Sequence, residues 1–165
     1  MKIFIFNFLI LLLIKQQINF VKACTCLILV KDIYCSSNWA AHTLILKNEI
    51  IKEGRDKQDW KIRYTVKFLK VFKDDKDCEY TRNNYVFTSA NEGLCGVYLK
   101  NDTEYLNFGY YLNGERYIGV HRWKEAYRCP YNIELNFIPK EVEEDLNNGA
   151  FDDYCKLKTT NTSKI

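Results

Sequence analysis

Apolar and polar side chains alternate with a period of two through Ile62, Tyr64, Val66 and Phe68, with Arg63, Thr65 and Lys67 between them. That pattern predicts a strand with one face buried. The apolar, partly β-branched run Ala41 to Leu46 predicts a second strand, and Tyr85 to Thr88 a short third. Two aromatic-rich runs in EYLNFGYYLNGERYIGVH flank Asn113-Gly114. This dipeptide suits a type I′ turn, whose two central residues need positive φ, so the segment predicts a hairpin. The period then changes. IPKEVEEDLNNG places Pro139 at the first helical position, Glu141, Glu143 and Glu144 near the positive end of the helix dipole, and Val142 and Leu146 on one face. Gly149 stands where such a helix would stop. About five strands followed by a helix predict a mainly β domain, a small barrel with one or two flanking short helices.

The start of the chain has a different pattern. Ile3 to Ile14 is apolar except for Asn7, Lys2 precedes it, and Val21 and Ala23 form a small-residue cleavage site. This is the pattern of a secretory signal peptide over residues 1–23. Its apolar core falls short of the roughly 20 residues that a membrane-spanning helix needs. Cleavage after Ala23 makes Cys24 the first mature residue and the product secreted and extracellular. It also removes Lys2, Lys15 and Lys22 from the 24 basic residues, leaving 21 against 21 acidic ones. A mature chain with no basic excess lacks a nucleic-acid footprint.

All seven cysteines (Cys24, Cys26, Cys35, Cys78, Cys95, Cys129 and Cys155) follow that site. In an exported chain they read as a disulfide framework with one thiol left over. Spacing alone leaves the pairing open, since even six cysteines allow 15 connectivities. With no internal repeat and only two prolines, residues 24–155 are expected to form one domain. Residues 156–165, ending KLKTTNTSKI, read as a polar tail.

The order of local motifs is more specific than the count. A leading Cys-Thr-Cys is followed by Cys35, then by EGLCGVY, then by RCPY, and then by Cys155 after a helix. Over residues 24–155 this resembles the N-terminal domain of the tissue inhibitors of metalloproteinases, a netrin-like domain. The resemblance implies a closed five-stranded OB-like barrel stapled by Cys24–Cys95, Cys26–Cys129 and Cys35–Cys155, which leaves Cys78 unpaired in the charged stretch KDDKDCEY. It further implies a metalloproteinase inhibitor rather than an enzyme. Such an inhibitor has no cofactor of its own, and binds the catalytic zinc of its target through the α-amino nitrogen and carbonyl oxygen of Cys24. Thr25 would enter the specificity pocket, while Leu27 and the loop Glu92-Gly93-Leu94 would flank it in the substrate groove.

The chemistry supports that reading of the first residue. A catalytic zinc keeps an open coordination position. An α-amine, with a reference pKa of about 7.7–8, offers a neutral lone pair more readily than a lysine at about 10.4. Disulfides at Cys24 and Cys26 would hold still a terminus that otherwise frays, which lowers the entropic cost of binding. The chain departs from the family in three ways. Leu27 and Ile28 stand where a proline usually follows the second cysteine, the Cys26–Cys35 gap is one residue short, and the sequence stops ten residues after Cys155. The last point reads as a single-domain member.

The expected partners are secreted or membrane-anchored zinc metalloproteinases. The alternative is a non-inhibitory netrin-like module that engages a receptor or the extracellular matrix. A monomer is expected, with a Cys78-linked dimer as the alternative. Asn101 and Asn161 begin N-glycosylation sequons. His42 and His121 read as structural residues. Tyr105, Phe108, Tyr110, Tyr111 and Tyr117 read as core and hairpin packing, not as a nucleic-acid stacking surface.

Overall fold

The computed structural model describes residues 29–75, 83–119, 121–123, 126–128 and 131–162. The first helix, α1 (Val30–Ser36), leads into two long strands, β1 (Trp39–Ile51) and β2 (Lys61–Asp74). Then follow β3 (Tyr85–Ser89), β4 (Glu104–Leu112), β5 (Glu115–Tyr117), the small pair β6 (His121–Trp123) and β7 (Ala126–Arg128), and β8 (Tyr131–Glu134). Helices α2 (Lys140–Asn147) and α3 (Ala150–Thr162) close the described chain. Strands pair in the ring β1-β2-β3-β5-β4, and a further β1–β4 pairing shuts it into a five-stranded barrel. β3 runs parallel to β5 while the other ring contacts are antiparallel. β8 extends the sheet beyond β4. This is the Greek-key barrel of the OB type.

Register shifts at Ala40/Ala41, His42/Thr43 and Ile45/Lys47 interrupt the β1–β2 ladder. Bulges of this kind bend and twist long strands, which lets β1 reach β2 on one side and β4 on the other. The interior takes alternate residues: Ile62, Tyr64 and Val66 from β2, Trp39, Ala41 and Ile45 from β1, and Tyr105 and Tyr111 from β4. Thr43 and Asn107 lie within it as a buried polar pair, Asn107 Nδ2 donating to Thr43 Oγ1 at 2.7 Å. β4 is buried throughout Tyr105–Tyr111. One face fills the barrel, and the other presents Leu106 and Phe108 to Tyr34 of α1, Leu146 of α2 and Phe151 of α3.

The expected strands are all present, but β1 and β2 run past their periodic cores. β4 pairs with β1 only over Trp39–Leu44. Beyond that point β1 runs on beside β2 alone, while β2 pairs with β3 on its other side; the outer half of β1 is largely polar and exposed, so its extent leaves little trace in the hydrophobic pattern. Asn113 and Gly114 have φ of 50° and 79°, as the turn chemistry requires. Pro139 precedes α2 instead of opening it; its ψ of 134° is extended, and its carbonyl accepts the Val142 and Glu143 amides. Gly149, at φ 80°, ends α2, yet a second helix begins at once and carries residues 156–162 of the polar tail. α1, only seven residues long, was not anticipated because so short an amphipathic segment lacks a readable period.

Two expectations follow. A Cβ on Gly109 would lie 2.2 Å from the Tyr117 carbonyl oxygen and 2.4 Å from Trp39 Cε2. Gly109→Ala should therefore cost about 3 kcal/mol or more in denaturant unfolding, whereas Gly149→Ala, with open space around its Cβ, should cost less. Burial, and secondly the neighbouring Tyr117, push the Tyr110 phenol up to about 12. A group whose folded pKa is raised gives stability that is full below its unfolded value near 10 and is lost as the pH rises through the folded value. The denaturation midpoint should fall between about pH 10 and pH 12, and Tyr110→Phe should reduce that fall.

Candidate inhibitory site

The segment from Ala90 to Lys100, which follows β3, contains no strand, yet it is held by a series of hydrogen bonds. Ser89 Oγ accepts the Asn91 amide at 3.1 Å, and Asn91 Oδ1 accepts the Gly93 amide at 2.8 Å. The Asn91 carbonyl takes the amides of Leu94 (3.0 Å) and Gly96 (3.2 Å). Glu92–Leu94 thereby forms one 3₁₀ turn capped by an asparagine side chain, a standard competitor of regular structure. Cys95 follows with φ 60°, a left-handed conformation uncommon for a side chain other than glycine, asparagine or aspartate.

Neighbouring elements hold this turn against the barrel. The Ala90 amide donates to the Trp60 carbonyl (2.9 Å), and Tyr98 OH donates to the Ala90 carbonyl (2.7 Å). Val97 N donates to Thr88 Oγ1 at 3.0 Å. Tyr64 OH accepts the Leu99 amide and donates to the Val97 carbonyl, both at 2.9 Å. Burial raises the Tyr64 pKa, which keeps that hydroxyl protonated as the donor. Gly96 packs so closely that a Cβ would sit 2.2 Å from the Ser89 carbonyl oxygen. Leu94, by contrast, is 50% exposed at the tip. The loop is a rigid platform carrying an exposed apolar residue.

Cys95 is disulfide-bonded. Cys35 and Cys155 bond each other, joining α1 to α3 across 120 residues with their Cα atoms 5.4 Å apart, as the resemblance implied. Cys24, Thr25, Cys26, Leu27, Cys78 and Cys129 lie outside the described residues, as do residues 1–23.

The chain that follows Cys26 is nevertheless firmly seated where the description begins. In α1, Tyr34 is buried edge-on between Phe108 and Phe151, and its hydroxyl donates to Asp152 Oδ1 at 2.8 Å. Burial and that carboxylate together raise the Tyr34 pKa. Asp32 Oδ1 accepts from Tyr154 OH (2.8 Å) and from Lys158 Nζ (2.7 Å). These two hydrogen bonds, Lys158 first, lower the Asp32 pKa. Lys73 Nζ donates to the Tyr34 and Cys35 carbonyls, satisfying the end of the helix.

The remaining expected residues have ordinary settings. His42 Nε2 lies 2.7 Å from Glu104 Oε2. The five hairpin aromatics are all buried. Asn101 sits in an exposed turn before β4, with Asn48 Nδ2 donating to its Oδ1, and Asn161 falls within the last turn of α3. Among the described residues no group of three or more His, Cys, Asp or Glu could hold a metal ion. Sequence reasoning missed Asn91, Tyr64 and Gly96 as supports of the loop. An asparagine before Glu-Gly was a readable turn signal, but nothing in the local pattern tied Tyr64 to a backbone 33 residues away.

Residues 22–130 match the family model described as Tissue inhibitor of metalloproteinase. The chain is 32% identical over 108 residues to Metalloproteinase inhibitor 3 of Gallus gallus, covering 64% of this chain and 49% of that protein. It is 31% identical over 154 residues to Metalloproteinase inhibitor 3 of Scyliorhinus torazame, covering 91% of this chain and 66% of that protein. The chain thus spans about half to two thirds of the length of these curated relatives. With a family model matched over residues 22–130, on a chain that forms an OB-type barrel and carries the Cys35–Cys155 bridge, the chain belongs to the tissue inhibitor of metalloproteinase family.

Proposed function

We propose that this protein is a secreted inhibitor of zinc metalloproteinases that acts through its mature N-terminus. The reading rests on one observation above the rest: a disulfide-bonded Cys95 at the end of a rigid, hydrogen-bonded turn that holds Leu94 out to solvent. A disulfide from Cys95 to Cys24 would give the first residue the same rigidity. The Cys24 α-amine and carbonyl oxygen would then take the open position of the target's zinc, with Thr25 in the specificity pocket and Leu27 and the loop Glu92-Gly93-Leu94 flanking it. Binding through so small a contact requires preorganisation, because every residue ordered on association weakens affinity. α1 supports the same arrangement from the other direction. Its disulfide and the Tyr34 and Asp32 hydrogen bonds fix the chain six to nine residues after Cys26.

Adding one alanine ahead of Cys24 turns the amine into an amide and removes its lone pair. Inhibition of a panel of metalloproteinase catalytic domains, read with a fluorogenic peptide, should fall by at least about a hundredfold, while the thermal unfolding midpoint stays unchanged. An extended protein that inhibits at full strength overturns the mechanism. No inhibition by either form overturns the inhibitory reading itself and favours a receptor- or matrix-binding module. Leu94→Ala should raise the inhibition constant by roughly 5- to 30-fold, as for a well-placed apolar contact, again with unchanged stability because the side chain is exposed.

A further inference from the structure

A second apolar side chain of the Cys95 loop stands in solvent beside Leu94. Tyr98 is 54% exposed, although its two neighbours, Val97 and Leu99, pack in the barrel core. One hydroxyl fixes the backbone on both sides of it: Tyr64 OH donates to the Val97 carbonyl and accepts the Leu99 amide, each at 2.9 Å. The far end of the ring is fixed as well, because the Tyr98 hydroxyl donates to the Ala90 carbonyl at 2.7 Å. Ala90 directly precedes Asn91, whose carbonyl and side chain build the turn that carries Leu94. The Tyr98 ring therefore reaches back to the base of that turn, held at its Cα and at its oxygen while its carbons stay open to water.

Ordering an exposed ring costs side-chain entropy and returns little burial. The same ordering favours association, since a tyrosine whose two rotatable bonds are already fixed gives up little freedom when a partner covers it. Its position suits that use. Tyr98 lies three residues beyond Cys95, so the two Cα atoms are at most about 11 Å apart. A stable protein interface covers roughly 800 Å² per partner, about the area of a disc 16 Å in radius. A partner centred on the Cys95 disulfide extends past that distance, and the Ala90 hydrogen bond turns the ring towards the Leu94 turn.

We infer that Tyr98 is a contact residue of the inhibitory surface and helps to set which metalloproteinases are bound most tightly. The inference rests on the N-terminal inhibitory reading and extends it from the zinc to the rim of the target's substrate groove. With its hydroxyl engaged by Ala90, Tyr98 offers a partner hydrocarbon and an aromatic ring. An apolar rim gains from covering it. An acidic rim would lose hydration without receiving a donor in return.

The test begins with the wild-type mature chain and a panel of metalloproteinase catalytic domains. Hydroxyl-radical footprinting of the free chain and of each complex, read by mass spectrometry, follows Tyr98 without any substitution. Its oxidation should fall at least about threefold in the complexes, as water is excluded from the contact. Inhibition constants are then read with a fluorogenic peptide. Tyr98→Ala should raise them roughly 5- to 30-fold on enzymes with an apolar rim and less than about twofold on those with an acidic one. Tyr98→Phe keeps the ring and should stay within about threefold of wild type throughout. A purely structural role would instead lower the thermal midpoint and weaken every complex alike. Unchanged Tyr98 oxidation on binding overturns the inference, and so does a loss that is equal across the panel or as large for Tyr98→Phe as for Tyr98→Ala. Wild-type inhibition with Tyr98 unprotected removes this extension and leaves the N-terminal mechanism standing, whereas no inhibition by the wild-type chain removes both.

Discussion

The pairing of Trp39–Leu44 with Glu104–Gly109 turns an open sheet into a closed one. At its end the Trp39 indole lies directly over Gly109, and its Nε1 donates to the Tyr110 carbonyl at 3.2 Å. A tryptophan is among the largest apolar groups a core can take, and it brings one donor that must be satisfied. Here the missing side chain at Gly109 makes room for the ring, and the next carbonyl accepts its proton. Closure removes the edge that β1 and β4 would each otherwise expose along this stretch. It also makes β4 the common wall of two cores, which is why its residues from Tyr105 to Tyr111 are all buried.

The helices and the Cys95 loop are held in place in different ways. The helical side is held by packing: Tyr34 and Phe151 press on Phe108, and the Cys35–Cys155 bridge locks α1 to α3. In chain-entropy terms a bridge spanning 120 residues contributes about 4–5 kcal/mol through the unfolded state. The Cys95 loop has little packing of its own and depends on hydrogen bonds from Asn91, Thr88 and Tyr64. A surface loop ordered by side-chain hydrogen bonds can expose an apolar residue such as Leu94 without collapsing onto it. That is the property an interaction surface needs.

A cleft lined by Trp60, Lys61, Tyr110 and Tyr117 shares this loop as one border, because Leu94 lines it together with the β1–β2 connection. The Ala90–Trp60 backbone hydrogen bond ties the two borders together. The cleft and the Cys95 platform are therefore built on one support while presenting different chemistry: an exposed leucine at the tip, and stacked tyrosines beneath a charged rim.

Much of this was readable along the chain. Alternation marked β2 and the Asn113-Gly114 pair marked the hairpin, because each depends on neighbours within a few residues, while the order of cysteine motifs along the chain carried the resemblance to the family. Burial of both faces of β4 was legible only as a run of aromatics. Whether those rings faced the barrel, the helices or the cleft followed from which strands paired with it. Supports that act across long separations had no local trace: Tyr64 on the Val97 carbonyl, Asp32 with Lys158, Tyr34 with Asp152. The amino-acid sequence by itself determined the strands and the turn chemistry, since these are set by side-chain periodicity and short-range backbone preference, and its cysteine motifs carried the resemblance to the family. Only the tertiary structure decided which groups meet in the Cys95 platform and the aromatic cleft, because barrel closure, not proximity in sequence, brings those groups within hydrogen-bonding distance.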